Sequence, residues 1–239
     1  ETLHHNAPGE RFDRKVIDRL LARPNLLAID GHPVRQLWQD VRGALSEYEV
    51  VDGSEVEDER TARVTRDDVW DTRTYRLGDD RGLRFQTTTV TLEAIRGRTA
   101  PVRLITAGRV FRPDGEDRTH SRVFHMADGI CVAAAADVAA FKATCERVLA
   151  AAVPGAEVTW REHPFAIVTQ GFVGTIRLDG RELLAIAGGI LTRDVLRDAG
   201  HDAQSVGGFA WGMGLDRLAM LRCGIDDIHE LWKPPYVPA

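Results

Sequence analysis

The feature that most constrains the fold is a pair of long strand-like runs joined by a short polar segment. Val102–Arg112 and Arg122–Ala133 are rich in valine, isoleucine and phenylalanine, and residues 113–121 between them are polar and rich in turn formers. A connection this short permits antiparallel pairing, whereas parallel strands need a crossover of a dozen or more residues. The sequence therefore predicts a β-hairpin near the middle of the chain.

The rest of the chain alternates between helical and strand-like patterns. Helices are predicted at 10–23, 33–47, 135–152 and 213–223, and strands at 48–51, 156–161, 172–178, 181–186 and 205–210. Asp179-Gly180 is a strong signal for a tight hairpin turn, and residues 53–60 are predicted to form an acidic loop. Hairpins with helices outside them predict the α+β class, in which helices pack on one face of an antiparallel sheet.

Composition excludes several classes of protein. At 239 residues the chain favours one compact domain, and no stretch approaches the ~18 uncharged apolar residues of a membrane span. Residues 1–6 lack the pattern of a secretory signal, and the three cysteines are widely spaced, so we expect a cytoplasmic protein.

With a net charge of −5, any RNA contact must come from a local patch such as Arg60, Arg63 and Arg66. For that patch the sequence favours the alternative, a solvated arginine-rich surface.

One arginine and one aromatic residue lie at the loop end of the predicted hairpin. Arg112 ends the first strand and Phe124 starts the second, so antiparallel pairing would bring them together. A guanidinium can hold phosphate oxygens bidentately and keeps its charge, and an aromatic ring can stack on a flat base. The pair suits a ligand with a phosphate and a base, although a purely structural hairpin could contain the same residues.

A glycine-rich segment later in the chain carries a second arginine. Glycines at 207, 208, 212 and 214 flank a predicted strand that turns into a helix with Arg217 in its first turn. Small residues let a ligand approach the backbone, and an arginine there can reach a phosphate. The segment matches neither the Walker pattern nor a spaced GxGxxG. A phosphate site and a glycine-lined packing junction both fit it.

Together the two segments resemble motifs 2 and 3 of class II aminoacyl-tRNA synthetases, most closely the α subunit of phenylalanyl-tRNA synthetase. Residues 108–129 are similar to the pattern GRV[FY]R…THxxxFHQxEG, and residues 207–221 to GFAFGMGxERLxML. Residues 32–57 resemble motif 1, residues 68–72 the DMWDT stretch and residues 83–88 the LRTxTS stretch. Related enzymes for pyrrolysine and phosphoserine match these stretches less well.

The resemblance implies a fold and an activity. The fold is the class II synthetase fold, with a helical extension over residues 1–30 and a catalytic domain over residues 31–239. The activity is that of a ligase that uses ATP and Mg²⁺ to adenylate an amino acid or a related carboxylic acid. The acyl group would then pass to a tRNA or another acceptor. Motif 1 implies a homodimer.

The nucleotide half of the implied site is well preserved. Arg112 would contact the α-phosphate and Arg217 the γ-phosphate, and both are the implied catalytic residues. Phe124 would stack on the adenine, Asp114 would lie near the base where the family has glutamate, and His120 would lie in the loop that closes over the nucleotide. Chemistry of this kind depends on positioning and fixed positive charge, so it needs no covalent nucleophile.

The half that would hold the acid departs from the family. The resemblance assigns these positions to substrate binding: Gln86, Thr88, Met126, Asp128, His163, Phe165 and Gly188. Met126 replaces a glutamine that helps hold the substrate amino group, Asp128 replaces a glutamate, and His163 replaces one of two pocket phenylalanines. An unpaired buried polar group costs ~1–3 kcal/mol, so these exchanges alter which acid is accepted. We expect an acid other than phenylalanine.

The implied metal position departs as well. Leu184 stands where the family has a glutamate, and Glu182 lies two residues earlier on the same face of the strand. Glu182 supplies the metal carboxylate if the register shifts, or it is a solvated residue at the strand end. Counterparts of the family's tRNA-binding coiled coil and of an anticodon-binding domain are missing, so we expect a stand-alone paralogue. The competing hypothesis is a non-catalytic synthetase-like protein that binds a nucleotide or an amino acid.

Overall fold

The computed structural model describes residues 8–78 and 80–237, and residues 1–6, weighed above as a signal segment, lie outside that range. The α-helices described are α1 Arg14–Leu21, α2 Pro33–Ala44, α3 Glu59–Ala62, α4 Val69–Thr72, α5 Thr88–Ala94, α6 Val138–Ala152, α7 Arg193–Asp198 and α8 Leu215–Cys223. The strands are β1 Glu49–Val50, β2 Val56–Asp58, β3 Arg76–Gly78, β4 Arg81–Leu83, β5 Val102–Phe111, β6 Val123–Ala133, β7 Glu157–Glu162, β8 Val168–Leu178, β9 Arg181–Leu191 and β10 Gly207–Gly214.

A seven-stranded sheet forms the centre of the molecule, with the order β1-β5-β6-β10-β9-β8-β7. Every neighbouring pair in it is antiparallel except β1 and β5 at one edge, which are parallel. A second, three-stranded sheet has the order β2-β4-β3. The predicted α+β class, an antiparallel-dominated sheet flanked by helices, is confirmed.

The two faces of the large sheet are covered differently. On one face α2, α6 and α8 bury a large apolar cluster that includes Leu37, Phe141, Phe209 and Trp211. On the other face α5 and α7 cover only part of the sheet, around Ile95 and its neighbours. Because side chains alternate along a strand, the uncovered part of this second face is lined by every second residue of the central strands. That open region is where the cavity described below lies.

The predicted hairpins form, and their ends follow local chemistry. β5 and β6 pair in the expected register, and Asp179 and Gly180 adopt φ of +50° and +77° at the turn between β8 and β9. Two successive left-handed residues match the twist of a tight hairpin, which is why the Asp-Gly pair is so strong a signal. The chain also takes the left-handed conformation at Gly224, where α8 ends as predicted.

Several predicted boundaries were wrong, and three of them show how capping and pairing interactions decide where an element begins or ends. The helix expected at 10–23 starts only after Asp13, whose side chain accepts hydrogen bonds from two backbone N–H groups of α1. The helix expected from 135 starts after Asp137, which caps α6 in the same way. β10 runs to Gly214, four residues past the expected strand end, because it pairs with β6 and β9.

The acidic segment 53–60 was predicted to be a loop, and only residues 53–55 are one. Residues 56–60 form β2 and the start of α3, and two carboxylates of the segment have partners on other elements. Glu55 makes a bidentate ion pair with Arg109, with N–O distances of 2.8 and 2.6 Å, and Glu57 accepts a hydrogen bond from the Thr89 hydroxyl. The local sequence suggested an exposed loop because these partners lie far away along the chain.

The N-terminal helix packs on the end of the central hairpin. Val16, Ile17 and Leu20 of α1 form a small cluster with side chains that include Phe111 and Val123. The division between an extension over 1–30 and a domain from 31 stays a prediction. In the range that the structure describes, no helix is long and apolar enough to cross a membrane.

Glu57 makes the stability of the fold depend on pH. Burial raises the pKa of this carboxyl from 4.5 to about 7. The fold therefore favours the protonated form, and stability falls as pH rises from 4.5 to 7. We expect Glu57→Gln, which mimics the protonated side chain, to exceed the parent by about 2–3 kcal/mol in unfolding free energy at about pH 8 and to match it at about pH 4. Urea unfolding at the two pH values measures this difference, and an equal loss of stability at both would contradict it.

Candidate active site

A cavity of about 600 Å³ lies on the partly uncovered face of the sheet. Thirteen residues were predicted to form the site, and eleven of them line this cavity: Gln86, Thr88, Arg112, Asp114, His120, Phe124, Met126, Asp128, Phe165, Gly188 and Arg217. They come from α5, β6, β9 and α8, and from the segments that precede α5, follow β5 and precede β8. The sheet thus brings residues more than a hundred positions apart into one site, while their individual roles stay predictions.

Arg112 lies between two aromatic rings in the cavity. Its Cζ atom is 4.2 Å from the ring centroid of Phe85 and 5.0 Å from that of Phe124. Its Nε donates to the Phe85 carbonyl oxygen at 3.2 Å, and its Nη2 lies 3.3 Å from the sulfur of Met126. The predicted meeting of Arg112 and Phe124 is confirmed. The aromatic rings fix the plane of the guanidinium and leave it facing the cavity.

Burial and a neighbouring positive charge both lower the pKa of Arg112. Burial, with the neighbouring Arg73 guanidinium as a second cause, lowers the pKa of Arg112 to about 10. The group stays protonated at neutral pH, since that value is well above 7. A cation held in such surroundings is stabilised by an anionic ligand, because the ligand replaces the water that burial has removed.

Arg73 is a second cation on the same aromatic ring. Its Cζ lies 4.8 Å from the Phe85 centroid, on a ring that Arg112 also contacts. One of its terminal nitrogens donates to both carboxylate oxygens of Asp114, at 2.7 and 2.6 Å. Asp114, predicted near the base, is therefore held by an arginine that the sequence did not single out.

Asp128 is a buried carboxylate in the wall of the cavity. The hydroxyls of Thr87 and Thr88 both donate to it, the second at 2.5 Å. Burial raises its pKa to about 6, against the opposing effect of these two hydrogen bonds. Beside it, the Gln86 amide donates to Asp67 at 3.1 Å. The polar side of the cavity is thus a set of hydrogen-bonded pairs that includes one buried carboxylate with a raised pKa.

The opposite side of the cavity is apolar. It is lined by Phe165, Ala166, Ile167, Val168, Leu184, Ala185, Ile186 and Ala187. Leu184 is 49% exposed, which is unusual for so large an apolar side chain in this molecule. An apolar wall that water can reach is stabilised when a ligand covers it, at roughly 25 cal/mol per Å² of buried area.

Two predicted residues lie outside the lining of the cavity. The His163 ring packs edge-on against Phe165 at 4.8 Å between centroids and supports the wall from behind. Glu182 is exposed and pairs with Arg177 across the β8–β9 hairpin at 3.3 Å. The structure therefore favours the alternative in which Glu182 is a solvated residue near the strand end.

Several contributors were missed by the sequence analysis, and four of them bear on the polar side of the site. Thr65, Asp67 and Arg73 line the cavity, and Phe85 forms the ring on which two arginines lie. Arg73 directly follows the stretch that resembles DMWDT, and Phe85 lies within the stretch that resembles LRTxTS. Those matches indicated which part of the chain contributes to the site, but nothing in the local pattern showed which of its side chains lie at the cavity.

Comparison with known proteins places this site in a family. The family model of the class II core domain of tRNA synthetases, type F, matches residues 23–236. The α subunit of phenylalanine–tRNA ligase from Xanthomonas euvesicatoria is 32% identical over 245 residues, covering 94% of this chain and 70% of that protein. The α subunit from Stenotrophomonas maltophilia is 32% identical over 222 residues, covering 84% and 65%. The chain belongs to the class II aminoacyl-tRNA synthetase core family, and within it is related to phenylalanine–tRNA ligase α subunits.

Solved structures confirm the fold independently of sequence. Two structures of pyrrolysyl-tRNA synthetase from Desulfitobacterium hafniense superpose with TM-scores of 0.65 and 0.69 at 15% identity. They cover 91% and 93% of this chain, and the matched parts are 77% and 76% of those chains. The predicted class II synthetase fold is therefore confirmed, as is the resemblance to phenylalanyl-tRNA synthetase α subunits.

Proposed function

We propose that this protein activates an amino acid or a related carboxylic acid by adenylation with ATP. The observation that carries the proposal is Arg112, held between Phe85 and Phe124 in a cavity that Arg73 and Arg217 also line. Three guanidinium groups around one cavity suit a polyphosphate. Membership of an aminoacyl-tRNA synthetase family supports a ligase, and amino-acid activation is the chemistry of that family.

The proposed step is an in-line substitution at phosphorus. A carboxylate oxygen of the acid attacks the α-phosphorus of ATP, the bond from that phosphorus to the bridging oxygen breaks, and pyrophosphate leaves with the electron pair. Negative charge grows on the α-phosphate oxygens in the transition state, and Arg112 is placed to stabilise it. Phe124 offers a stacking surface for the adenine, and Arg217 a charge for the γ-phosphate. Neither proton transfer nor a covalent nucleophile is needed.

The substrate half of the cavity supports an acid other than phenylalanine. Met126 contacts Arg112 through its sulfur and offers no hydrogen bond of ordinary strength to an ammonium group. Of the aligned pair of aromatic positions, only Phe165 lines the cavity, and Leu184 adds an aliphatic surface on the same side. Asp128, Thr88 and Gln86 remain the polar groups for the amino and carboxyl ends. Transfer of the acyl group to a tRNA or another acceptor, a homodimer and a cytoplasmic location are proposed on the family resemblance alone.

Class II synthetases in general use ATP and Mg²⁺, but the side chains here do not fit a protein-held metal ion. Among the described residues no group of three His, Cys, Asp or Glu could hold a metal. Leu184 occupies the position where the family has a carboxylate, and Glu182 pairs with Arg177 outside the cavity. Asp128, a buried carboxylate in the wall of the cavity, already accepts hydrogen bonds from two hydroxyls. We therefore assign no catalytic step to a metal ion bound by these residues.

A second candidate is a synthetase-like protein that binds a nucleotide or an amino acid without turnover. Leu184 is the observation that favours it, because an aliphatic side chain cannot replace a metal-binding carboxylate. The Arg112 and Phe124 stack is expected in either case, since both candidates bind the nucleotide.

Isotope exchange between ATP and pyrophosphate separates the two candidates. The purified protein would be assayed with Mg²⁺, the twenty amino acids and a set of non-standard acids, and ATP binding would be measured in parallel by calorimetry. Exchange that depends on one acid supports adenylation and identifies the substrate. Binding of ATP without exchange for any acid favours the non-catalytic protein, and exchange with phenylalanine would overturn the interpretation of Met126 and His163.

Arg73 gives a prediction specific to this chain. Arg73→Met keeps an apolar stack on Phe85 but removes the charge, and with it the hydrogen bonds from Arg73 to Asp114. A hydrogen bond to a charged group contributes about 1.5–3 kcal/mol, so we expect the Kd for ATP to rise about tenfold or more. Calorimetric titration measures the effect. Arg177→Met, an exposed arginine outside the cavity, is the matched control and should bind ATP like the parent.

A further inference from the structure

A buried histidine–aspartate pair lies between the sheet and α8, and Asp216 is also among the residues that line the cavity. His125 of β6 and Asp216 of α8 expose 0% and 1% of their side chains. The His125 Nδ1 atom is 3.3 and 3.2 Å from the two carboxylate oxygens of Asp216. No step of the proposed reaction uses this pair, although a buried carboxylate is costly unless its partners are well placed.

Backbone contacts settle which nitrogen of His125 carries the proton. The backbone N–H of Leu26 donates to Nε2 at 3.1 Å, so Nε2 is the acceptor of a neutral ring. Nδ1 therefore carries the hydrogen and donates it to Asp216. The backbone N–H of His125 also donates to Asp216, at 2.6 Å. The carboxylate thus receives two hydrogen bonds from one residue, and the Trp232 ring stacks on the imidazole at 5.8 Å between centroids.

Each member of the pair is next in sequence to a predicted nucleotide-binding residue. Phe124 precedes His125, and Arg217 follows Asp216. Along a strand, successive side chains point to opposite faces, so a fixed His125 below the sheet fixes Phe124 above it. Asp216 lies in the first turn of α8, and its hydrogen bonds fix how that turn and Arg217 sit on the sheet.

We propose that the His125–Asp216 pair is a positioning device that holds Phe124 and Arg217 at a fixed separation, and with them the two ends of the nucleotide. The inference rests on the proposed function, since it takes Phe124 and Arg217 to contact ATP. A buried polar pair is not needed for stability alone, because well-packed apolar side chains of similar volume are often as stable. Hydrogen bonds are directional, and those between His125 and Asp216 link the start of β6 to the start of α8 through one carboxylate.

Asp216→Asn tests the proposal while keeping the shape of the side chain. One amide oxygen can accept from both N–H groups of His125, as Oδ2 does here, but the NH₂ group then replaces the oxygen that lies 3.3 Å from Nδ1, and the negative charge is lost. Misplacement of a binding group by about 1 Å can cost up to a hundredfold, and we expect the Kd for ATP to rise between tenfold and a hundredfold. The KM for the acid should change less than the Kd for ATP, because Met126, next to His125, is the one residue assigned to the acid that adjoins this pair in sequence. Asp216→Glu, which restores a carboxylate, should recover part of the ATP affinity.

A variant of another buried histidine serves as the control that distinguishes positioning from a purely structural role. His201 is 8% exposed, and its Nε2 bonds the Ile95 carbonyl at 3.2 Å, away from the residues that line the cavity. His201→Gln should lower the melting temperature and leave the Kd for ATP unchanged. If Asp216→Asn lowers the melting temperature to the same extent without weakening ATP binding, the pair only holds the fold together and the proposal is wrong.

Calorimetric ATP binding is the primary readout, because it does not depend on turnover. ATP binding that Asp216→Asn weakens, with no exchange for any acid, would support the positioning role and overturn the proposed adenylation. Exchange in the parent with unchanged ATP affinity in Asp216→Asn would overturn the positioning role alone. Absence of ATP binding by the parent would overturn both.

Discussion

Replacing Arg112 by alanine is expected to lower kcat/KM for acid activation by about 10²–10³-fold, the usual result of removing one group that stabilises transition-state charge. The structure gives the reason. The guanidinium is fixed between Phe85 and Phe124 and anchored to the Phe85 carbonyl, so no reorganisation is needed when charge develops on the α-phosphate. A flexible cation would contribute less, because part of its stabilisation would be lost in ordering it.

Arg112→Lys separates charge from geometry. Lysine keeps the positive charge but lacks the planar fork and the flat stack on the rings, so we expect it to recover only a minor part of the activity. Steady-state kinetics of ATP–pyrophosphate exchange measure both variants, and circular dichroism confirms that each is folded. Activity of Arg112→Ala within about threefold of the parent would show that the α-phosphate is bound elsewhere, since a removed transition-state donor normally costs far more.

Gly188→Ala is expected to be the most destabilising small change in the cavity. A Cβ atom at this position would lie 2.1 Å from the Ala210 carbonyl oxygen and 2.7 Å from the Trp211 Cα. Both atoms belong to the backbone of β10, so β9 and β10 would have to separate where they pair. Overpacking of this kind costs about 3 kcal/mol or more. A loss of that size lowers the melting temperature by about 6–12 °C in a domain of this length.

A second glycine provides the control. Gly43 lies within α2, and a Cβ atom there would meet nothing within 4 Å. Gly43→Ala should raise stability by about 0.5–1 kcal/mol, because alanine loses less conformational freedom in a helix than glycine. Differential scanning calorimetry compares the two variants with the parent. A melting temperature for Gly188→Ala within a degree or so of the parent would mean that β9 and β10 yield easily, contrary to the close approach seen here.

The central hairpin was predictable because its determinants are local. The two strand patterns and the short polar connection specify antiparallel pairing, and pairing alone brings Arg112 to Phe124. The Asp179-Gly180 turn was predictable for the same reason, since the two residues themselves favour the left-handed conformation that the turn needs. The family resemblance then added the roles of residues that lie far apart in the sequence.

Residues 53–98 were much less predictable. Their strands and helices are only a few residues long, and their polar side chains are satisfied by partners far along the chain, such as Glu55 by Arg109 and Arg73 by Asp114. Local patterns cannot anticipate such pairs, because the energy that fixes them comes from tertiary burial rather than from propensity. The same holds for His125 and Asp216, whose separation in sequence is 91.

At Gly188, substrate binding is not the only explanation for the presence of a glycine. The resemblance assigned this glycine to substrate binding, and it does line the cavity. The contacts of a hypothetical Cβ show that cross-strand packing also requires glycine there. A loss of activity in Gly188→Ala would therefore need the stability measurement beside it before any substrate role could be assigned.

The most direct test of the central claim is to identify the product of a single turnover. The protein would be mixed with ATP labelled at the α-phosphate, Mg²⁺, inorganic pyrophosphatase and a pool of amino acids and related acids, and the reaction resolved by chromatography with mass detection. Attack on the α-phosphorus predicts labelled AMP joined to one acid, formed together with phosphate from the released pyrophosphate, and its loss in Arg112→Ala. Labelled ADP, or intact ATP bound by the folded protein at every acid tested, would contradict adenylation in this cavity.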